Sequence, residues 1–133
     1  MRYSLLVLVS LVLSGCESTQ KLKVEVATPI TLTAKQIASV RAGVAKSLKG
    51  QDLEAVKVGR MLAGRVSTAV IVCGYANGKN SSGEYVGEKP FHGLFMGMDN
   101  ASGFIVTGTG GADDETAATL DVCRRSGLDL APS

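Results

Sequence analysis

An apolar segment near the N-terminus determines how much of this chain is available to fold. Arg2 is followed by nine mainly apolar residues at positions 5–13, far fewer than the about 20 that a helix needs to span a bilayer. This length, behind a positive charge, is typical of a secretory signal peptide. We therefore assign residues 1–15 to a signal peptide, which leaves enough chain for one small domain and too little for two.

A cysteine directly follows the signal peptide, and the two residues before this cysteine are small. Leu13-Ser14-Gly15-Cys16 resembles the lipobox of bacterial lipoproteins. The resemblance implies cleavage before Cys16, diacylglycerol on its thiol and acylation of the new amine, which together suffice for stable anchoring. Residues 16–30 then form a lipidated tether. In sorting of the enteric type, Asp after the cysteine retains a lipoprotein in the inner membrane, so Glu17 favours the outer membrane, facing the periplasm. The alternative is an ordinary signal peptide with Cys16 present by chance.

The composition of the chain excludes several classes of protein. Hydrophobic residues make up 45% and charged residues 20% of the sequence, which is typical of a globular domain and not of a disordered chain or a charged coiled coil. Once Arg2 is removed with the signal, basic and acidic residues are nearly equal in number. We therefore expect neither nucleic acid nor a strongly basic molecule as a partner.

Two helices are predicted at the two ends of a single α+β domain that covers residues 31–133. Thr33-Ala34-Lys35-Gln36 has the form of a capping box. Apolar residues behind it recur at helical spacing, which predicts a helix over residues 34–49. Asp113 is the predicted cap of the second helix, and Gly127 ends it.

Between the helices the periodicity falls to two, which is typical of strands. A turn at Ala63-Gly64 is expected to separate the first strand from the second. The second, at residues 66–73, is apolar or small on both faces, as in a central strand covered on both sides. Two more strands are predicted at residues 91–98 and 104–107. The predicted fold is α+β, a four-stranded antiparallel sheet flanked by an N-terminal and a C-terminal helix, in two layers.

Cys73 and Cys123 are the two thiols that remain once Cys16 is acylated. An even number of cysteines in an oxidising compartment favours a disulfide, which here would join the central strand to the last helix. Free buried thiols are one alternative. Another is a small thiol hydrolase in which Cys73 is the nucleophile and His92 the base, and it requires a free thiolate.

Metal and nucleotide sites lack the residues that they need. His92 is the only histidine, and no CxxC pair is present to complete a zinc site. A glycine-rich stretch, residues 107–111, precedes the last helix, where an anion could meet the helix N-terminus. Asp113, Asp114 and Glu115 occupy that end and would repel a phosphate. We therefore expect no cofactor, no metal and no nucleotide.

A long polar connection is predicted between the second and third strands. Its pattern resembles a stretch in small uncharacterised envelope proteins of proteobacteria, which implies kinship and no activity; the matching residues are Cys73, Gly74, Asn77, Asn80, Gly83, Tyr85, Gly87, Pro90 and Phe91. Loops on a rigid sheet often carry binding groups, and the candidates here are Asn77, Lys79, Asn80, Glu84 and Tyr85. The alternative is a purely architectural loop, with Tyr85 and Phe91 as its apolar base.

No acid–base pair, metal cluster or activated nucleophile can be assembled from these residues. We therefore expect a non-catalytic lipoprotein of the bacterial envelope, held at the membrane by lipid on Cys16, that binds or braces an envelope component such as another protein. A tethered inhibitor or exclusion factor, which plugs another envelope protein with the loop, is one alternative. The thiol hydrolase is the other.

Overall fold

The computed structural model describes residues 25–48, 52–95 and 103–130, which form one antiparallel sheet and two helices. The five strands lie in the order β1-β2-β3-β4-β5. In chain order the elements are β1 (Thr28–Ile30), α1 (Ala34–Ser47), a short 3-10 helix (Leu53–Ala55), β2 (Lys57–Val66), β3 (Ala69–Asn77), β4 (Lys89–Phe95), β5 (Phe104–Thr109) and α2 (Asp113–Arg125). The predicted α+β class is confirmed. The signal peptide and Cys16 lie outside the described residues.

The sheet has five strands and not the predicted four, because β1 forms within the segment assigned to the tether. It pairs antiparallel with β2, with Thr28 opposite Arg65 and Ile30 opposite Ala63. Three residues around Pro29 carry no alternation that a sequence pattern could reveal. Proline is tolerated there because β1 is an edge strand, where one side needs no ladder hydrogen bond.

The predicted turn at Ala63-Gly64 is wrong, since β2 runs through both residues. The chain reverses instead at Ser67 and Thr68, between β2 and β3, and Ser67 takes a left-handed φ of 54°. Gly64 serves close packing and not a turn: a Cβ at this position would lie 2.5 Å from the Cβ of Ala27. Turn-forming residue types thus misplaced the hairpin by a few residues.

A capping box sets the start of α1, whereas the start of α2 has no capping side chain at its N-cap. At α1 the capping box is complete: Gln36 N donates to Thr33 Oγ1 at 3.2 Å, and Thr33 N donates to Gln36 Oε1 at 2.9 Å. The α-helix ends at Ser47, two residues before the predicted end. The cap of α2 is Ala112, so Asp113 is its first helical residue and not its cap.

The C-terminus of α2 closes as the glycine there predicts. Gly127 has a φ of +80°; Gly127 N donates to Arg124 O at 3.0 Å and Leu128 N donates to Cys123 O at 2.9 Å. These two bonds make a Schellman motif, which needs the left-handed conformation that glycine adopts without strain. The motif turns residues 128–130 back across the sheet.

The helices cover opposite faces of the sheet, so the domain has three layers and not the predicted two. On one face, Val40 and Val44 of α1 pack in a cluster with Val70, Val72 and the phenylalanines of β4 and β5. On the other face, Cys123 of α2 packs in a second cluster, which also contains Cys73, Leu128 and Leu130. As predicted, β3 is the central strand; Val72 and Cys73 point to opposite faces and are both fully buried.

Candidate functional site

Cys73 and Cys123 form the predicted disulfide. Their Cα atoms are 6.0 Å apart, a normal separation for a disulfide, and neither side chain is exposed. The bond joins the middle of the sheet to the last turns of α2. Because both sulfurs are bonded and buried, neither supplies the free thiolate that the hydrolase alternative requires.

His92 lies beside this disulfide on the same face of the sheet. It is the cross-strand neighbour of Cys73 and faces away from Phe91, as the alternation of the strand predicts. Its Nδ1 lies 2.7 Å from Thr107 Oγ1, whose hydroxyl donates to the His92 carbonyl at 3.3 Å. Its ring packs on Gly108, where a Cβ would collide with Nε2. Burial lowers the pKa of His92 below 6.5, so this half-buried ring is neutral at pH 7. Its contacts with Thr107 and Gly108 are those of a side chain that packs on the neighbouring strand.

The predicted loop joins β3 to β4 and comprises residues 78–88. Two asparagine side chains hold it from within. Asn77 Oδ1 accepts a hydrogen bond from Gly87 N at 3.0 Å. Asn80 Oδ1 accepts from Ser82 N and from Glu84 N, each at 3.0 Å. Both residues were candidate contact groups, and the structure instead uses their carbonyl oxygens to satisfy loop amides, as in an Asx turn.

The loop backbone is also paired with itself. Asn80 N donates to Glu84 O at 2.8 Å, and Val86 N donates to Gly78 O at 3.2 Å. Lys79 and Tyr85 form a short antiparallel bridge. The reversal between them requires Gly83, whose φ is +80°. The loop is therefore a small, internally bonded hairpin on top of the β3–β4 pair.

Tyr85 is held between two lysines near the tip of this hairpin. The Nζ of Lys57 lies 4.3 Å from the ring centroid, and the Nζ of Lys79 lies 5.2 Å from it. Both distances fall in the range of cation–π contacts. Lys79 was a predicted site residue. Lys57 was not, and no local signal could find it, because it belongs to β2 and meets Tyr85 only through the pairing of the sheet.

The end of the molecule that carries this loop also exposes apolar side chains. Val86 is 51% exposed, Leu53 of the 3-10 helix 48% and Tyr85 38%. Beneath the loop, a cavity of about 80 Å³ lies between α1 and β4, bordered by Leu48, Val86, Pro90 and Phe91 among others. Phe91 is buried, as expected for the base of the loop, whereas Tyr85 is part of its surface. We call the exposed residues Leu53, Glu84, Tyr85 and Val86, together with the half-buried Lys79, the loop tip.

A second concave surface lies at the β1–β2 edge of the sheet, where no site was predicted. It is a groove of about 390 Å³, within the size range of ligand pockets, and its lining includes no charged side chain. The apolar lining comes from β1 and the start of α1, from β2, and from the chain after α2: Ile30, Leu32, Ile37, Met61, Leu62 and Leu128. The sequence did not predict this groove, because the residues of β1 were assigned to the tether.

Within residues 25–48, 52–95 and 103–130, no three His, Cys, Asp or Glu side chains are close enough together to hold a metal ion. In the same part of the chain no helix has the length and apolar character required to cross a membrane. Comparison of the chain with protein families, with curated proteins and with solved structures finds no match.

Proposed function

We propose that this protein is a non-catalytic binding module of the bacterial envelope, anchored by lipid on Cys16, and that its loop tip docks onto another envelope protein. The observation that carries the proposal is that different residues of the loop hold its backbone and form its exposed surface. Asn77 and Asn80 are occupied in bracing the backbone, so the hairpin presents Tyr85 and Val86 to solvent in a fixed arrangement.

The composition of the tip fits a protein partner. Tyrosine is among the residues that contribute most to binding at protein interfaces, and a partly apolar centre with a charged rim is the usual anatomy of such surfaces. The rim around Tyr85 and Val86 carries charges of both signs. The positive ones are Lys57 and Lys79, and the negative ones are Glu84 and Glu88. A preorganised loop also loses little conformational entropy on binding.

The position of the tip supports the same proposal. The first residue of β1 pairs with Arg65, so the N-terminal side of the domain lies at the end of the sheet that carries the β2–β3 turn. The loop follows the last residue of β3, at the opposite end of the sheet. The ten residues of β2 separate these ends by about 30 Å at the usual rise of a strand. A domain tethered through its N-terminus can therefore direct the loop away from the membrane that holds it.

Photo-crosslinking in intact cells tests the proposal. A photoreactive amino acid at Val86 should capture a discrete protein, identified by mass spectrometry, whereas the same probe at Lys35, an exposed residue of α1, should not. Tyr85→Ala should remove the capture from Val86 while the melting temperature stays nearly unchanged. If Val86 and Lys35 yield the same products, the loop tip is not the docking surface.

A further inference from the structure

The outer edge of β2 is open beside the apolar groove. On one side β2 pairs with β3 along most of its length, but on the other side β1 covers only Ala63, Gly64 and Arg65. Among the described strands, none pairs with the outer side of the stretch from Lys57 to Leu62. Backbone amides and carbonyls on an open edge are a template for another extended chain.

The groove begins where β1 ends. Met61 and Leu62 lie next to the last β1–β2 pair, and their side chains border the groove on the two faces of the sheet, Met61 with Ile37 and Leu62 with Leu128. In a strand that continued the line of β1 along β2, successive side chains would point to opposite faces of the sheet. One would contact the first apolar wall and the next would contact the second. Main-chain pairing together with side-chain pockets is the arrangement by which proteins bind peptides through strand addition.

The charge of β2 identifies the kind of strand that fits. The strand carries Lys57, Arg60 and Arg65 and no acidic residue. Two copies of this chain joined through the edge would bring like charges opposite one another, which is destabilising. The bulge between Val58 and Met61, where the Glu88 carboxylate approaches Gly59, also limits regular pairing at the far end of the edge. Both features oppose self-association. Met61 and Leu62, between the bulge and the last β1–β2 pair, remain as the regular part of the open edge.

We propose that the β2 edge and the adjoining groove bind an extended segment of a partner protein, in which two consecutive apolar residues are flanked by acidic ones. The two apolar side chains point to opposite faces of the added strand and contact the two walls of the groove, an acidic side chain meets Arg60, and the backbone adds a short strand beside Met61 and Leu62. None of these residues belongs to the loop tip, so the inference does not depend on the function proposed for the loop.

Three synthetic peptides test the proposal against the Cys16→Ser protein: a Val-Val pair flanked by Glu (the Glu/Val peptide), the same peptide with Lys in place of Glu (Lys/Val), and the same peptide with Gly in place of Val (Glu/Gly). Amide chemical shifts of Met61 and Leu62, and hydrogen exchange of the one of these two amides that points away from β3, should change with the Glu/Val peptide and not with the other two. Arg60→Glu should weaken this binding by about fivefold, the upper range for one exposed ion pair. Arg41→Glu, an exposed site on α1 with the same change of charge, should leave it unchanged.

Four outcomes would overturn the proposal. The first is saturable binding of none of the peptides, and the second is equal binding of the Glu/Val and Lys/Val peptides, which would remove the role of charge. The third is a shift pattern confined to the loop tip. The fourth is protection, before any peptide is added, of the one amide of the Met61–Leu62 pair that points away from β3: sedimentation would then show whether a second copy or the chain's own N-terminal segment covers the edge.

Discussion

At the scale of single residues, Asn80 illustrates how one side chain determines the shape of the loop. Its Oδ1 accepts from the amides of Ser82 and Glu84, whereas the nearby side chain of Glu84 is exposed. Asn80→Ala should therefore cost about 1 kcal/mol or somewhat more, since each net hydrogen bond contributes about 0.5–1.5 kcal/mol. Glu84→Ala should stay within about 0.5 kcal/mol. Urea denaturation measures both values, and equal costs would contradict the assignment of Asn80 as the brace.

His92 makes a prediction about pH. Burial lowers its pKa in the folded state below 6.5, so the unfolded chain binds the proton first as the pH falls. Stability should therefore decrease as the pH is lowered through about 6.5 and below. His92→Asn removes this titration and should flatten the change in the free energy of unfolding between about pH 7.5 and pH 5. The same slope in both proteins would show that other groups cause it.

At the scale of elements, Gly43 shows that α1 is positioned by contact with β5 and not by helix propensity. A Cβ at this position would collide with the carbonyl oxygen of Phe104. Gly43→Ala should therefore destabilise the domain by about 1–3 kcal/mol, as overpacking does, although alanine is the better helix former by about 1 kcal/mol. Ala38→Gly, at an exposed position of α1, measures the propensity effect alone. A stabilising Gly43→Ala would mean that the helix can move away from β5.

The disulfide joins β3 to α2, two elements that are far apart in the sequence. It closes a separation of 50 residues, and loop-closure entropy assigns it about 4 kcal/mol. Cys73→Ala and Cys123→Ala should each destabilise the domain by a few kcal/mol, and the double variant should be little worse than either. Thermal melts with and without reductant should differ for the wild type and coincide for the double variant. Coinciding melts in the wild type would contradict this contribution.

At the scale of the whole molecule, the lipid anchor and the folded domain should be independent. Cys16 lies before the described residues, and the first buried side chain among those residues is Ala27. Cys16→Ser should therefore abolish lipidation and move the protein from the membrane fraction to the soluble fraction, with the melting temperature of the domain unchanged. Fractionation with intact-mass measurement checks this result. Retention of the variant in the membrane with an unchanged mass would contradict the lipobox assignment.

The sequence by itself determined the features that depend on local chemistry. The capping box of α1 and the glycine that ends α2 act through hydrogen bonds between residues a few positions apart, so their patterns are visible along the chain. The central strand was evident because residues 66–73 are apolar or small on both faces. The number of cysteines and the expected oxidising compartment sufficed to predict the disulfide, and a run of turn-forming residues located the loop.

Only the tertiary structure decided what depends on distant residues. Three residues around Pro29 become a strand because β2 offers them a free edge, and Gly64 lies inside a strand because Ala27 packs against it. By local rules the second helix could reach either face of the sheet, and it covers the face that carries Cys73, opposite α1. Lys57 meets Tyr85, and Ile37 comes to line the same groove as Met61, only after the strands have paired. Such contacts join residues far apart in sequence, so no local period or spacing records them.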